Sequence, residues 1–143
     1  MTDLPHDPYI DAVIEALDKQ GLCPHDWWTS DSEDNPYGDG PTTMLKAVLT
    51  WPGDATGVNT FLWPHGLIFV WEHPAEQWQY AALRDNGNDE PKPIPALGRF
   101  AAPESVVAVF RALAACYPVP EGNAPYWHPA DAVRDDITAW EQS

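Results

Sequence analysis

The first helix is predicted by apolar residues that recur once per helical turn near the start of the chain. These residues are Ile10, Val13, Ile14 and Leu17. Their i, i+3, i+4, i+7 spacing places the four side chains on one face of an α-helix, with acidic residues facing water. Asp7 followed by Pro8 is typical of an N-cap and a first helical position, and Gly21 predicts the end of the helix. We therefore expect an amphipathic helix that packs on an apolar layer.

Three strands are predicted where apolar and polar side chains alternate. Residues 44–51, MLKAVLTW, place one apolar set on a single face: Leu45, Ala47, Leu49 and Trp51. Residues 66–83, GLIFVWEHPAEQWQYAAL, are typical of a hairpin that turns at Pro74 and Ala75. That turn sets three cross-strand pairs on one face: Trp71 with Trp78, Phe69 with Tyr80, and Leu67 with Ala82. This aromatic face predicts the core side of an antiparallel meander rather than a platform for nucleic-acid bases.

Two further helices are predicted in the second half of the chain, each opened by a proline. One begins at Pro103 and ends before Pro118. Its apolar stripe consists of Val106, Val109, Phe110, Leu113 and Tyr117. The other opens at Pro129, and its stripe consists of Val133, Ile137 and Trp140. This last helix has no assigned place, since it could complete the helical layer, cover the more polar sheet face or reach another subunit.

Four irregular stretches separate these elements, near residues 22–43, 52–65, 85–102 and 118–128, where proline, glycine and polar residues cluster without a period. Residues 1–143 contain no repeat and no sign of a second domain. The predicted fold is therefore a single α+β domain. It has an N-terminal helix, a three-stranded antiparallel meander, and one or two C-terminal helices packed on the sheet.

Composition and charge predict the compartment and the kind of partner. Two cysteines, Cys23 and Cys116, are too few for a disulfide scaffold, and the N-terminus lacks a basic and apolar leader. These features predict a cytoplasmic protein without a membrane segment. The 22 acidic and seven basic side chains give a net charge of -15, which opposes direct binding to nucleic acid or anionic lipid. A basic or neutral protein partner is expected instead, and a homodimer is a further option.

Candidate catalytic and metal-binding chemistry is sparse. Cys23 and His25, beside Asp26, are zinc-ligand types, but a structural zinc site needs four ligands in paired short spacings. Residues 31–40, DSEDNPYGDG, differ from a calcium loop where proline replaces the required glycine. Cys116 has no histidine at a short spacing, and no glycine-rich phosphate loop occurs. We therefore expect no metal, no cofactor and no catalytic residue, although a site built from distant residues would leave no such signal.

Two sets of residues are candidate contact surfaces. The acidic set is Asp31, Glu33, Asp34 and Asp39. It belongs to the first forty residues, which hold ten acids and one base. The apolar set lies on the more polar sheet face and consists of Val48, Ile68, Val70 and Leu83. An exposed apolar patch of this kind marks a docked element, a dimer seam or a partner site. Cover by the last helix is the alternative.

A family resemblance is carried by the helix PYIDAVIEAL, the strand LKAVLTW and the hairpin FVWEHPAEQWQYAAL. Together these resemble a family of small uncharacterised actinobacterial proteins, which have a similar helix, strand and hairpin with a tryptophan on each side of its turn, and a final helix opened by proline. The resemblance covers residues 8–117. It implies an intracellular single domain, often encoded near mobile or regulatory genes, and it supplies no activity and no functional residues.

The predicted function is that of a non-enzymatic, acidic protein-interaction domain, either an accessory or regulatory factor or the neutralising partner of a more basic protein. Two alternatives stay open. The acids could imitate a phosphate array, as in a DNA-mimicking inhibitor of a DNA-binding protein. The protein could also be an enzyme or small-ligand binder whose site forms between the sheet and the loops.

Overall fold

A computed structural model describes the chain at residues 6–32, 44–55, 57–73, 77–85, 87–115, 125, 127 and 129–141. The elements formed by these residues are, in chain order, α1 (Asp7–Lys19), β1 (Asp26–Ser32), β2 (Met44–Trp51), β3 (Leu67–His73), β4 (Gln77–Arg84), β5 (Gly87–Asn88), β6 (Lys92–Gly98), α2 (Pro103–Ala115) and α3 (Ala130–Glu141). All of the strand pairs between them are antiparallel. The α+β class predicted from the sequence is confirmed.

The sheet has the order β1-β2-β3-β4, and both β6 and the two-residue β5 pair with β4. The predicted three-stranded meander is therefore correct for β2, β3 and β4 but incomplete. Strands β1 and β6 extend it on its two sides, within the stretches 22–43 and 85–102 that were predicted to be irregular. Among the described residues both are edge strands. A strand at an edge can be exposed on both faces, so it need not show the alternation that identifies a half-buried strand.

The aromatic face of the sheet packs against the helices and forms the main core. The pairing between β3 and β4 runs from Leu67 to Val70 and has the predicted register, with Leu67 opposite Ala82 and Phe69 opposite Tyr80. The predicted turn residues Pro74 and Ala75 lie outside the described residues. The predicted inward residues of β2 are all fully buried. The largest fully buried side chains are Trp51, Trp71, Trp78, Tyr9, Phe69 and Phe110. Because these rings fill the space beneath α1 and α2, the aromatic face is a core and not an open platform.

Helix α3 completes the helical layer. Its residues Ala130, Val133 and Ile137 are buried in the same core cluster as α1 and the aromatic face of the sheet. Contacts with α1 hold it on that side. The sequence left three places open for this helix, and α3 takes the one in the helical layer, on the aromatic face of the sheet. Two residues of the predicted apolar stripes cannot be placed, because Tyr117 of the second helix and the side chain of Trp140 in the last helix lie outside the described residues.

Helix α1 begins with His6 as its N-cap, so the prediction of Asp7 at that position is wrong by one residue. His6 provides no side-chain cap because its ring is turned into the core. Its Nε2–H donates to the carbonyl oxygen of Lys46 at 2.9 Å, and its ring stacks on Trp71 with centroids 5.1 Å apart. At the other end, Gly21 has a φ of 71°, which confirms the predicted glycine stop.

A buried hydrogen-bond chain ties α1 to the sheet and to the start of α2. The Trp78 indole N–H donates to the Tyr9 hydroxyl at 3.0 Å, and that hydroxyl donates to the carbonyl oxygen of Ala101 at 2.6 Å. The three residues come from β4, α1 and the residues before α2. One hydroxyl therefore satisfies two buried polar groups that would otherwise be desolvated without a partner.

Replacing Tyr9 by phenylalanine is expected to lower the free energy of unfolding by about 1 to 3 kcal/mol, because the Trp78 N–H and the Ala101 carbonyl lose their shared partner. Urea unfolding followed by circular dichroism measures the change. Tyr80→Phe is the matched control, since Tyr80 is half-buried in β4 and outside this hydrogen-bond chain. An equal loss in both variants would contradict a special role for the Tyr9 hydroxyl.

Stability is also expected to fall at alkaline pH through Tyr9. Burial raises the pKa of its hydroxyl above the ordinary value, and the hydrogen bond from Trp78 lowers it by less. Above about pH 10 the unfolded chain therefore loses the tyrosine proton while the folded protein retains it, which favours unfolding by about 1.4 kcal/mol per pH unit. Urea unfolding across this range should show a shallower decline in Tyr9→Phe than in the wild type. Parallel declines would contradict the assignment.

Candidate functional site

Strand β1 is the edge of the sheet at which large apolar side chains are exposed. Among the described residues its only strand partner is β2. Trp27 is 39% exposed and Trp28 is 45% exposed. Trp28 lies opposite Val48 on the face away from the helices, whereas Trp27 lies opposite Leu49 on the helix side. Two neighbouring indoles therefore flank the edge from its two faces, and we call residues Asp26 to Thr29 the β1 edge surface.

The apolar set predicted as a contact surface lies together on the sheet face away from the helices, but most of it is covered. Val48, Ile68 and Val70 form a small second cluster with Ala81, and Leu83 packs partly buried against it. The exposed fractions of Val48, Ile68 and Val70 are 9%, 6% and 2%. A partner would touch little of these side chains. Trp28, which was not among the predicted contact residues, is a large exposed apolar side chain in register with this cluster.

The acidic set is described only at Asp31, which lies in β1 opposite Leu45. Glu33, Asp34 and Asp39 lie outside the described residues. Ser32 and Met44 are paired at one end of β1 and β2. At the same end, Glu72 on β3 forms an ion pair with Lys46 on β2 at 3.7 Å, which offsets the charge of that base.

Trp27 and Trp28 were not predicted to be contact residues, because residues 22–43 were predicted to be irregular. The available signal was the run DWWTSDS, in which two aromatic residues and a threonine, all frequent in strands, follow one another without proline or glycine. Serine and aspartate around them are typical of loops, and adjacent tryptophans break the alternation of a half-buried strand. An edge strand with one indole on each face explains both the strand-forming residues and the broken alternation.

Two other exposed apolar side chains lie in the connection between β2 and β3. Phe61 is 94% exposed and Leu62 is 44% exposed. Their segment is held against the end of α2, because the Asn59 N–H donates to the Ala114 carbonyl at 2.7 Å and the Trp63 indole N–H donates to the Leu113 carbonyl at 3.1 Å. Phe61 therefore offers an exposed aromatic control for experiments on the β1 edge surface.

A groove of about 490 Å³ runs between α1 and α2. Its apolar lining includes Ala12, Ala16, Val107, Ala108 and Trp127. Its charged lining consists of Glu15, Lys19, Glu104 and Arg111. Lys19 pairs with Glu15 at 3.3 Å, and Arg111 donates to Gln20 at 3.1 Å. Since the charges balance and both bases have partners, the groove has no strong preference for a charged ligand.

The chemistry considered around Cys23 is unfavourable for metal binding or nucleophilic attack. Desolvation and the nearby Asp18 carboxylate raise the pKa of the Cys23 thiol, so the reactive thiolate is less populated near neutral pH. His25 and Asp26 are exposed. Within the described part of the chain no group of three or more histidine, cysteine, aspartate or glutamate residues is arranged to hold a metal ion. Cys116 lies outside that part.

Comparison of the chain with protein-family models, curated proteins and solved structures finds no match. The resemblance to small actinobacterial proteins therefore stays a prediction. Within the described residues, no helix has the length and apolar character needed to cross a bilayer.

Proposed function

We propose that this protein is a non-enzymatic interaction domain that binds a more basic protein through the β1 edge surface. The observation that carries the proposal is the pair of adjacent, partly exposed indoles of Trp27 and Trp28 on a sheet edge. Single exposed apolar residues are common, but tryptophan is enriched at protein interfaces, where it supplies large contact area and most of the binding energy. Two of them on the opposite faces of one strand form a compact contact centre.

Charge supports the choice of partner. The chain carries a net charge of -15, and Asp26 and Asp31 lie at the two ends of the strand that holds the indoles. The segment that continues from β1 adds Glu33, Asp34 and Asp39. Acids placed around an apolar centre attract a basic partner, accelerate its association at low salt and repel acidic competitors.

Affinity capture from the native host with wild-type protein and three variants tests the proposal. Trp27→Ala and Trp28→Ala should each lose the same basic partner, with affinity reduced at least about tenfold, as expected for central interface tryptophans. Phe61→Ala is the matched control and should retain it. The proposal is wrong if all three variants retain the partner equally. If the captured protein is a DNA-binding protein that duplex DNA displaces, the DNA-mimicking alternative applies instead.

The acidic residues are expected to act through the association rate. Charge reversal at Asp31, Glu33 and Asp34 should slow association with the purified partner, and the difference from wild type should shrink as salt is raised. Surface plasmon resonance at several salt concentrations measures both effects. Unchanged association at every salt concentration would remove the acidic set from the proposed surface.

The groove between α1 and α2 favours a second candidate function, the binding of an uncharged, partly apolar small ligand. A fragment screen by NMR should then give hits that shift resonances of Ala12, Ala16 and Val107. These shifts should disappear in Ala16→Phe, whose ring would occupy the groove. Hits spread over other surfaces, or hits unaffected by the substitution, would rule against this candidate.

A further inference from the structure

We infer that the partner binds by strand addition, in which an extended segment containing lysine or arginine pairs with β1 and becomes a further strand of the sheet. This inference rests on the proposed function, because it specifies the chemistry and conformation of the partner at the same surface. Strand addition supplies affinity through backbone hydrogen bonds and specificity through alternate side chains.

The two edges of the sheet differ in their ability to accept another strand. On the β6 side, Pro93 and Pro95 lack backbone N–H groups, and the pairing with β4 shifts between Gln77 and Gln79. Prolines and register shifts are devices that protect edges from pairing. Strand β1 has no proline, and all of its seven residues pair with β2 without a shift. In such a regular antiparallel strand, alternate residues direct their N–H and C=O groups away from β2, toward the side where no other strand lies among the described residues.

The positions of the indoles fit the side chains of an added strand. Successive side chains of that strand would lie alternately on the helix side, beside Trp27, and on the outer face, beside Trp28. Pairing would therefore bury the exposed parts of both rings at once. A partner that docked on one face alone would bury only one of them.

Charge selects a basic segment over a second copy of this chain. Two copies that paired through β1 would each bring a net charge of -15, with Asp26 and Asp31 of both strands along one seam, and this charge opposes pairing between copies. Asp26 lies opposite Thr50 and Asp31 opposite Leu45, so positions 26 and 31 are on different faces of the sheet. Lysine or arginine opposite either position in a partner strand would instead form a favourable cross-strand pair.

Three synthetic peptides test the inference with the 143-residue chain. The first is capped at both ends, alternates lysine with valine and has about eight residues, enough to span β1. The second keeps the lysines and replaces every valine by proline, so half of its backbone donors are removed. The third replaces lysine by glutamate. Titration gives the dissociation constants, and hydrogen exchange with mass spectrometry gives amide protection at residues 26–32.

The lysine–valine peptide should bind at least about tenfold more tightly than either control and should slow amide exchange within β1. Trp28→Lys should weaken it by a similar factor, whereas Phe61→Ala should not. Equal binding of the proline peptide, protection confined to other elements, or no binding would overturn strand addition. Sedimentation that shows a dimer with β1 amides already protected would assign the edge to a second copy and also overturn it.

The two proposals fail in different ways. If partner capture requires Trp27 and Trp28 but β1 amides exchange at the same rate in the complex, the interaction site stands and strand addition is wrong. If the lysine–valine peptide protects the β1 amides but substitution of Trp27 and Trp28 does not change partner capture, β1 can accept an added strand but the proposed function is wrong.

Discussion

Replacing Trp71 by alanine is expected to lower the free energy of unfolding by about 3 to 5 kcal/mol. The ring is fully buried, and its indole N–H donates to the carbonyl oxygen of Arg99 at 2.6 Å. It also stacks on His6 and contacts Phe100 at a centroid separation of 5.9 Å. Truncation therefore opens a cavity where β3, the start of α1 and the residues before α2 meet, and it removes the partner of a carbonyl. Urea unfolding followed by circular dichroism measures the loss.

Trp28→Ala makes the same chemical change at a site where the ring is 45% exposed. We expect this variant to lose about 1 kcal/mol or less, because much of its ring already contacts water. The difference between the two variants measures the value of burying an indole in this fold. Similar losses in both would contradict the assignment of Trp71 to the core and of Trp28 to the surface.

Replacing Gly66 by alanine is expected to be the second severe change. Backbone strain and steric overlap together should lower the free energy of unfolding by about 2 to 6 kcal/mol. Gly66 has a φ of 98°, and an added Cβ would overlap the carbonyl oxygen of Trp51 and lie 2.8 Å from the Cα of Pro52. The carbonyl oxygen of Gly66 also accepts a hydrogen bond from the Leu83 N–H at 2.9 Å, which links the residue before β3 to β4. Any relaxation that relieves the overlap must move the end of β2 away from the start of β3.

Gly21→Ala separates the two contributions. Gly21 also has a positive φ, 71°, but an added Cβ would meet no atom within 4 Å. The free energy of unfolding of this control should fall only by the cost of holding alanine at a positive φ, about 1 to 2 kcal/mol. Thermal and urea unfolding of both variants measure the contrast. Equal losses would show that the close approach between Gly66 and Trp51 does not constrain the fold.

The predictions made from the sequence succeeded where one element has one buried face. Strand β2 and the β3–β4 hairpin each show a period of two, and α1 shows a period of nearly four, because each packs on a single apolar layer. Strand β1 was missed because both faces of an edge strand can be partly exposed, so neighbouring residues such as Trp27 and Trp28 can both be apolar without marking a core. Strand β6 was missed because Pro93 and Pro95 are typical of irregular segments.

The candidate site shows the same limit. Alternation correctly placed Val48, Ile68 and Val70 together on one sheet face. It could not indicate their exposure, since the fraction of a side chain that meets water depends on neighbours from other strands. Val70 is flanked by β2 and β4 and is only 2% exposed, whereas Trp28, in the same row of the sheet, lies at the edge and is 45% exposed. The proposed contact surface therefore lies at the edge of the sheet rather than in its middle.

The amino-acid sequence by itself determined the α+β class, the aromatic face that became the core, the strand register of the β3–β4 hairpin and the strongly acidic charge. These properties depend on residue type and short-range spacing. Only the tertiary structure decided that α3 joins the helical layer, that β1 ends the sheet among the described residues, and that its two indoles stand partly in water. The physical reason is that a strand becomes an edge through the absence of a neighbour on one side. That condition is set by pairing between residues far apart in the chain.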